Sequence, residues 1–136
     1  MRPILLDTCA LIWLANKDGI ARSAREAIDE ADTTGTPVAV SPISAWEIGL
    51  LVSRGRLTLS LDPRAWFQST LDTGLALAPM PPEVLVASSF LPSAALRDPG
   101  DRIIAATARH YRYRLMTRDR PLLAFGEEGH VETIAC

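Results

Sequence analysis

The amino-acid sequence predicts an α/β fold, a three-layer α/β/α sandwich with a central, mostly parallel sheet of four to five strands. Short apolar runs of four or five residues alternate with segments of helical periodicity along the chain, which is the pattern of strand–helix–strand units. Two of these runs stop at an aspartate, Asp7 or Asp119, before a helix begins. Acidic residues in such positions are expected at the carboxyl ends of strands, where open α/β sheets bind ligands.

The composition predicts a single globular domain spanning residues 1–136. Hydrophobic residues make up 48% of the chain and charged residues 22%, so apolar surface is left over for a protein partner or a homodimer. The net charge of −2 excludes a uniformly basic surface for nucleic acid.

The cysteine content and the hydropathy pattern predict a cytoplasmic protein. Cys9 and Cys136 are too few for a disulfide framework, which favours a reducing compartment. No apolar run approaches the roughly 18 residues that a membrane span needs, and Asp7 interrupts the first apolar run before it resembles a signal peptide. Cys9 itself is expected to be a small buried residue.

The first quarter of the chain is predicted to form one strand and two helices. Residues 3–6 are apolar and end at Asp7, and residues 8–16 follow with apolar side chains three and four positions apart, as on one face of a helix. Gly19 separates this helix from a second one over residues 21–32, whose outer face is charged.

The next unit contains an anomaly. A strand is predicted over 37–40 and a helix over 45–54, which starts through residues 41–44 and ends at Gly55. On that helix Glu47 lies in the middle of an apolar stripe. Burying a lone carboxylate costs several kcal/mol, so Glu47 requires a cation, a metal or a raised pKa.

The middle of the chain is predicted to alternate again between extended and helical segments. Leucines alternate with other residues over 57–61, which indicates an extended arm or an edge strand. Asp62 and a following proline are expected to start a helix that runs to residue 73. A strand over 75–79 and a helix over 83–91 come next.

The last third is predicted to begin with a helix that starts within two residues of Asp101, after the breakers Pro99 and Gly100. A strand over 114–117, a short helical turn over 121–125 and a final strand over 131–135 complete the chain.

Four acidic residues are expected to meet at one edge of the sheet, namely Asp7, Glu47, Asp101 and Asp119. Right-handed crossovers would bring the strand ends together, and two carboxylates ~4 Å apart repel by about 4 kcal/mol at an effective dielectric near 20. A counter-ion is therefore needed. Ligands that offer only oxygen suit Mg²⁺ or Mn²⁺, ions that commonly accompany phosphate chemistry.

The basic residues are almost all arginines, since Lys17 is the only lysine. Arg102, Arg118 and Arg120 lie near the acidic residues in sequence and could hold the phosphates of a substrate. The arginines between residues 109 and 120 can equally be a solvated helix end, where cations interact favourably with the macrodipole. The three tryptophans are expected in the core or an interface rather than as stacking platforms for bases.

At four places the sequence resembles the signatures of PIN-domain nucleases, specifically the VapC-like toxins of toxin–antitoxin pairs. The four matching segments follow one another at near-family spacing and cover nearly the whole chain: Leu5-Leu6-Asp7-Thr8, Ser44-Ala45-Trp46-Glu47-Ile48, Asp98-Pro99-Gly100-Asp101-Arg102 and Thr117-Arg118-Asp119.

The resemblance implies a PIN-like fold and a Mg²⁺-dependent endoribonuclease, with Mn²⁺ as a substitute ion. It implies a catalytic, metal-binding set formed by the four acids named above, and supporting hydroxyls at Thr8 and Thr117. Asp98 would be a helix cap or a second acid beside Asp101. The resemblance also implies an RNA substrate, a homodimer and a VapB-like antitoxin that covers the acidic site.

Two other classes of α/β protein are disfavoured. A haloacid-dehalogenase-type hydrolase needs a second aspartate two positions after Asp7, where Cys9 stands, and a response-regulator receiver needs a lysine after a late strand. A PIN-like RNA- or protein-binding module without catalytic activity remains the alternative.

Overall fold

A computed structural model describes all 136 residues. It contains five strands, seven α-helices and one short 3₁₀ turn over Ser88–Phe90. In chain order, the elements are β1 (Ile4–Leu6), α1 (Thr8–Ala15), α2 (Arg22–Thr34), β2 (Val38–Val40), α3 (Pro42–Ser53), α4 (Pro63–Asp72), β3 (Ala76–Leu77), α5 (Pro82–Ala87), α6 (Pro99–Tyr111), β4 (Arg114–Thr117), α7 (Arg120–Glu127) and β5 (Glu132–Ala135).

The sheet has the order β3-β2-β1-β4-β5, and every neighbouring pair of strands is parallel. The predicted fold class is confirmed, with the upper number of strands. From β1 the chain moves outward through β2 and β3, then returns to the other side of β1 with β4 and β5. The gap between the carboxyl ends of β1 and β4 is therefore a topological switch point, where α/β sheets bind ligands.

Alternating side chains of the strands build one core on each face of the sheet. Ile4 and Leu6 of β1 belong to a core cluster with residues of α1, α2 and α3, whereas Leu5 belongs to a cluster with Ile104 and Leu122 of α6 and α7. This period of two is the expected consequence of a pleated strand buried on both faces. The arrangement is the three-layer sandwich that the sequence predicts.

Of the two alternatives predicted for residues 57–61, the structure shows the extended arm and not the edge strand: β3 and β5 occupy the two edges of the sheet, and Leu57 and Leu59 pack onto the first core cluster. One sequence prediction needs correction. The segment predicted as a short helical turn over 121–125 is the eight-residue helix α7, which Asp119 caps. None of the helices combines the length and apolar character that crossing a bilayer would require.

Candidate active site and metal centre

A groove of about 510 Å³ opens at the carboxyl ends of the strands, beside the switch point. Five carboxylates, positioned by α1, α3, α6 and α7, line it: Asp7, Glu47, Asp98, Asp101 and Asp119. We call it the acidic groove. It contains all four acidic residues that the sequence predicts to converge, together with Asp98.

Asp7 is the most deeply buried of the five, with 3% of its surface exposed. As N-cap of α1, it accepts a hydrogen bond through Oδ1 from the backbone N–H of Ala10 at 2.8 Å. Its Oδ2 accepts one from the hydroxyl of Thr117 at 2.5 Å, and the same hydroxyl oxygen accepts from the N–H of Asp119 at 3.0 Å. Thr117 thus joins the ends of β1 and β4.

Glu47 reaches the groove from the middle of α3. The hydroxyl of Thr8 donates to its Oε1 at 2.6 Å, and because that hydroxyl has a single proton, the 2.8 Å bond between Thr8 and Ser44 has Ser44 as donor. The carboxylate lies against Gly100: a Cβ atom there would be 2.7 Å from Oε2. Glycine is therefore what lets Glu47 approach the first turn of α6.

Asp98 and Asp101 stand together at the start of α6. Asp98 is the N-cap and accepts from the N–H of Asp101 at 3.0 Å. One carboxylate oxygen from each of Glu47, Asp98 and Asp101 lies within 4.8 Å of the others. Asp98 is thus a cap and also a member of the acidic cluster, two roles that the sequence presents as alternatives.

The five carboxylates of the groove have no cationic side chain paired with them. Burial, followed by the negative charges of Asp98, Asp119, Glu47 and Asp7, raises the pKa of Asp101 from 3.8 to about 8. Burial also raises the pKa of Asp7 and of Glu47, although the hydroxyl donors oppose the shift. No arginine, lysine or histidine forms an ion pair with any of the five carboxylates. An oxygen-only cluster with uncompensated charge has the chemistry of a site for a hard divalent cation.

None of the three arginines that the sequence suggests for phosphate binding lines this groove. Arg102 follows Asp101 on α6, and adjacent helical residues point about 100° apart; its guanidinium donates to the backbone carbonyls of Ser88, Ser93 and Leu96.

Arg118 has structural contacts as well. It donates to the carbonyls of Cys136 and Gly19 and stacks 3.6 Å from the ring centre of Trp13. Arg120 is exposed, and its guanidinium makes no hydrogen bond within the chain. The structural contacts of Arg102 and Arg118 therefore leave only the phosphate role of Arg120 as a prediction.

The sequence interpretation missed residues that line the groove, among them Arg54, Arg56 and the exposed Trp46. A sequence signal for these residues was present, because Trp46, Leu50 and Arg54 lie four positions apart on the helix that carries Glu47 and so share one face of it. Cys9 is also exposed in the groove, so the expectation that it is buried was wrong. Desolvation and the nearby carboxylates raise its pKa to about 11, which keeps the thiol neutral and poorly nucleophilic.

Residues 4–127 match the PIN domain family, so the chain belongs to that family, and the resemblance seen in the four motifs is confirmed. It is 34% identical to Ribonuclease VapC22 of Mycobacterium tuberculosis over 123 residues, which cover 90% of this chain and 91% of that protein.

Solved structures show the same fold at lower identity. VapBC2 from Rickettsia felis, bound to a DNA fragment from its promoter, has a TM-score of 0.68 and 18% identity, covering 98% of each chain. VapBC-5 from Mycobacterium tuberculosis has a TM-score of 0.59 and 20% identity, covering 100% of each chain.

Proposed function

We propose that residues 1–136 form a single PIN domain that acts as a metal-dependent endoribonuclease, the toxin of a toxin–antitoxin pair. The observation that carries this proposal is the convergence of five carboxylates without a paired cation at the switch point of the sheet. The similarity to a relative named as a ribonuclease, over nine-tenths of the chain, supports hydrolysis of RNA as the reaction.

The cluster of Glu47, Asp98 and Asp101 would hold a Mg²⁺ ion, with Mn²⁺ as a substitute, and Asp7 and Asp119 would complete the acidic surroundings. The fit rests on the donors, which are hard oxygen atoms within 4.8 Å of one another for the first three residues. When bound, such an ion activates water and stabilises the charge that develops on a phosphodiester.

The chain's own residues position these carboxylates. Thr8 holds Glu47, and Thr117 holds Asp7 while accepting from the backbone of Asp119. Because each hydroxyl is itself fixed by a second hydrogen bond, the carboxylates lose little freedom when a cation and substrate arrive. Thr8 and Thr117 are therefore positioning residues.

The proposal includes a VapB-like antitoxin, a homodimer and a cytoplasmic location. Exposed apolar side chains on α5 and the turn after it, Val86 at 62% and Phe90 at 81% exposure, supply surface that a partner can cover. The neighbouring VapBC structures support an antitoxin as one such partner. Light scattering at micromolar concentration should give the mass of a dimer, and a monomer would contradict that part.

The proposed activity is tested by incubating antitoxin-free protein with total cellular RNA in Mg²⁺, Mn²⁺ or EDTA. We expect discrete fragments with either metal, none in EDTA and none with the Asp7→Asn variant, whose folding is checked by circular dichroism. Equal inactivity of wild type and variant in Mn²⁺ would overturn the proposed reaction and favour the non-catalytic binding module.

A further inference from the structure

One face of α3 borders the acidic groove without contributing to the core. It consists of Trp46, Leu50 and Arg54, which lie four residues apart and so share a face, together with Arg56 just beyond the helix. We call these four residues the α3 wall. Trp46 is 56% exposed, and neither Trp46 nor Leu50 belongs to a core cluster or packs against one.

The exposure of Trp46 is unusual for this chain. Trp66 is 6% exposed inside the first core cluster, and Trp13 packs against the same cluster under the guanidinium of Arg118. Two of the three indoles therefore pack against the core, whereas the indole of Trp46, the residue before Glu47, lines the groove. An aromatic ring in that position is a surface on which a planar group can stack.

Arg54 and Arg56 are the only basic residues that line the groove. Both are exposed, and their guanidinium groups form no hydrogen bond and no ion pair with the chain. The five carboxylates that share this groove repel a polyanion, so a nucleic acid can enter only where cations offset that repulsion. These two arginines are placed to supply the offset, and guanidinium groups bind phosphate well.

We propose that the α3 wall binds single-stranded RNA, with one base stacked on Trp46 and the phosphates beside it held by Arg54 and Arg56. This inference rests on the proposed ribonuclease function. A single strand fits because its unpaired bases are accessible to an indole, whereas bases stacked inside a double helix are not. Proteins hold such strands by alternating aromatic and cationic contacts. RNA bound to the α3 wall would continue along the groove past the carboxylates.

The test measures binding of a fluorescein-labelled single-stranded RNA of about 10 nucleotides by fluorescence anisotropy. The background is Asp101→Asn, so that the RNA is not cleaved. Trp46→Ala is expected to weaken binding about tenfold or more, whereas Trp46→Phe should retain most of the affinity. Arg54→Ala and Arg56→Ala should each reduce the slope of log affinity against log salt by about 0.7.

Two exposed residues outside the groove serve as matched controls. Arg25→Ala removes the same charge from α2, and Leu61→Ala removes an exposed apolar side chain from the segment before α4. Both variants should bind the RNA as the background protein does. Thermal melts should show that Trp46→Ala is folded, since its ring is outside the core.

The inference is overturned if the α3 wall variants keep both the affinity and the salt slope of the background protein. It is equally overturned if they lose affinity only for the antitoxin, because the wall would then be a protein-docking surface. Cleavage of total RNA by the unsubstituted protein is measured in parallel. If the unsubstituted protein cleaves RNA but the α3 wall variants bind RNA as the background protein does, only the role of the α3 wall is refuted. If the unsubstituted protein does not cleave RNA and the background protein does not bind it, the proposed function is refuted as well.

Discussion

The starts of α4 and α6 are built from the same dipeptide but serve different purposes. Asp62 and Asp98 are each followed by proline, and each caps its helix by accepting from the backbone N–H three residues later, at 3.1 and 3.0 Å. Asp62 lies on the exposed surface outside the groove, whereas Asp98 is one of three clustered carboxylates. The same local structure can therefore be a simple cap or part of a site.

The residues that follow the dipeptide explain the difference. In α4 they are Arg64 and Ala65, whereas in α6 they are Gly100 and Asp101. Gly100 leaves the space that the carboxylate of Glu47 occupies, and Asp101 adds a third acid. A site therefore requires an absent side chain and a partner from another helix, in addition to the cap.

The largest expected effect on RNA cleavage comes from replacing an aspartate at the start of α6 with asparagine, compared with the same replacement at the start of α4. Asp101→Asn should reduce RNA cleavage by at least about a hundredfold, because an amide neither carries the charge nor binds a hard cation as a carboxylate does. Asp62→Asn is the control, since asparagine is an equally good cap. Cleavage assays on both folded variants make the comparison, and equal activities would remove Asp101 from the site.

The next largest effect is expected from filling the space that Gly100 leaves beside Glu47. Gly100→Ala places a methyl group against Glu47 and should displace its carboxylate from the cluster, which we expect to weaken Mn²⁺ binding by about 10- to 100-fold. Titration calorimetry measures this affinity directly. Gly49→Ala on α3 is the matched control, because nothing lies within 4 Å of the added atom. Unchanged Mn²⁺ affinity in Gly100→Ala would show that the contact is dispensable.

A smaller effect is expected from the hydroxyl that joins β1 to β4. Thr117→Val leaves Asp7 buried with one donor fewer, and we expect about tenfold slower cleavage together with a loss of stability of about 1–3 kcal/mol. Thr70→Val in α4 removes another buried hydroxyl that bonds within its own helix. Denaturant unfolding and cleavage are measured for both. If Thr70→Val slowed cleavage as much, the loss would reflect general destabilisation.

The smallest effect is on the pH dependence of metal-free stability. The pKa of Asp101 rises from 3.8 to about 8 on folding, so the folded state binds the extra proton. Its contribution to stability therefore falls as the pH rises from about 4 to 8. Asp101→Asn should melt about 5 °C higher than wild type at pH 8.5 and show little difference at pH 4.

Calorimetric melting scans in EDTA measure this difference, with Asp62→Asn as the control. Added Mn²⁺ should raise the melting temperature of the wild type at pH 8.5 and have little effect on Asp101→Asn. A melting temperature for Asp101→Asn equal to that of the wild type across this pH range would contradict the assigned destabilisation.

Much of the fold could be predicted because its signals are local. The alternation of strands and helices along the chain follows from short apolar runs between segments of helical periodicity. The start of α4 follows from an aspartate before a proline, and the start of α6 follows from the breakers Pro99 and Gly100. Convergence of Asp7, Glu47, Asp101 and Asp119 could also be predicted, since the carboxyl ends of parallel strands share one edge.

Other features could not be predicted because they depend on residues far apart in the chain. The sequence places Arg102 beside Asp101, but helical rotation turns it toward the carbonyls of Ser88 and Leu96. Arg54 and Arg56 lie more than forty residues from Asp98, yet they line the same groove. Nothing near Cys9 in the sequence indicates that its side chain faces solvent rather than the core.

By itself the sequence determined where α4 and α6 begin, the periodicity of each element and the identity of the acids, because helix-start signals and the spacing of apolar residues act over a few positions. Only the tertiary structure decided which cap became part of a site and which arginines face the groove. Those outcomes depend on packing between α3, α6 and the sheet, where the missing Cβ of Gly100 makes room for Glu47.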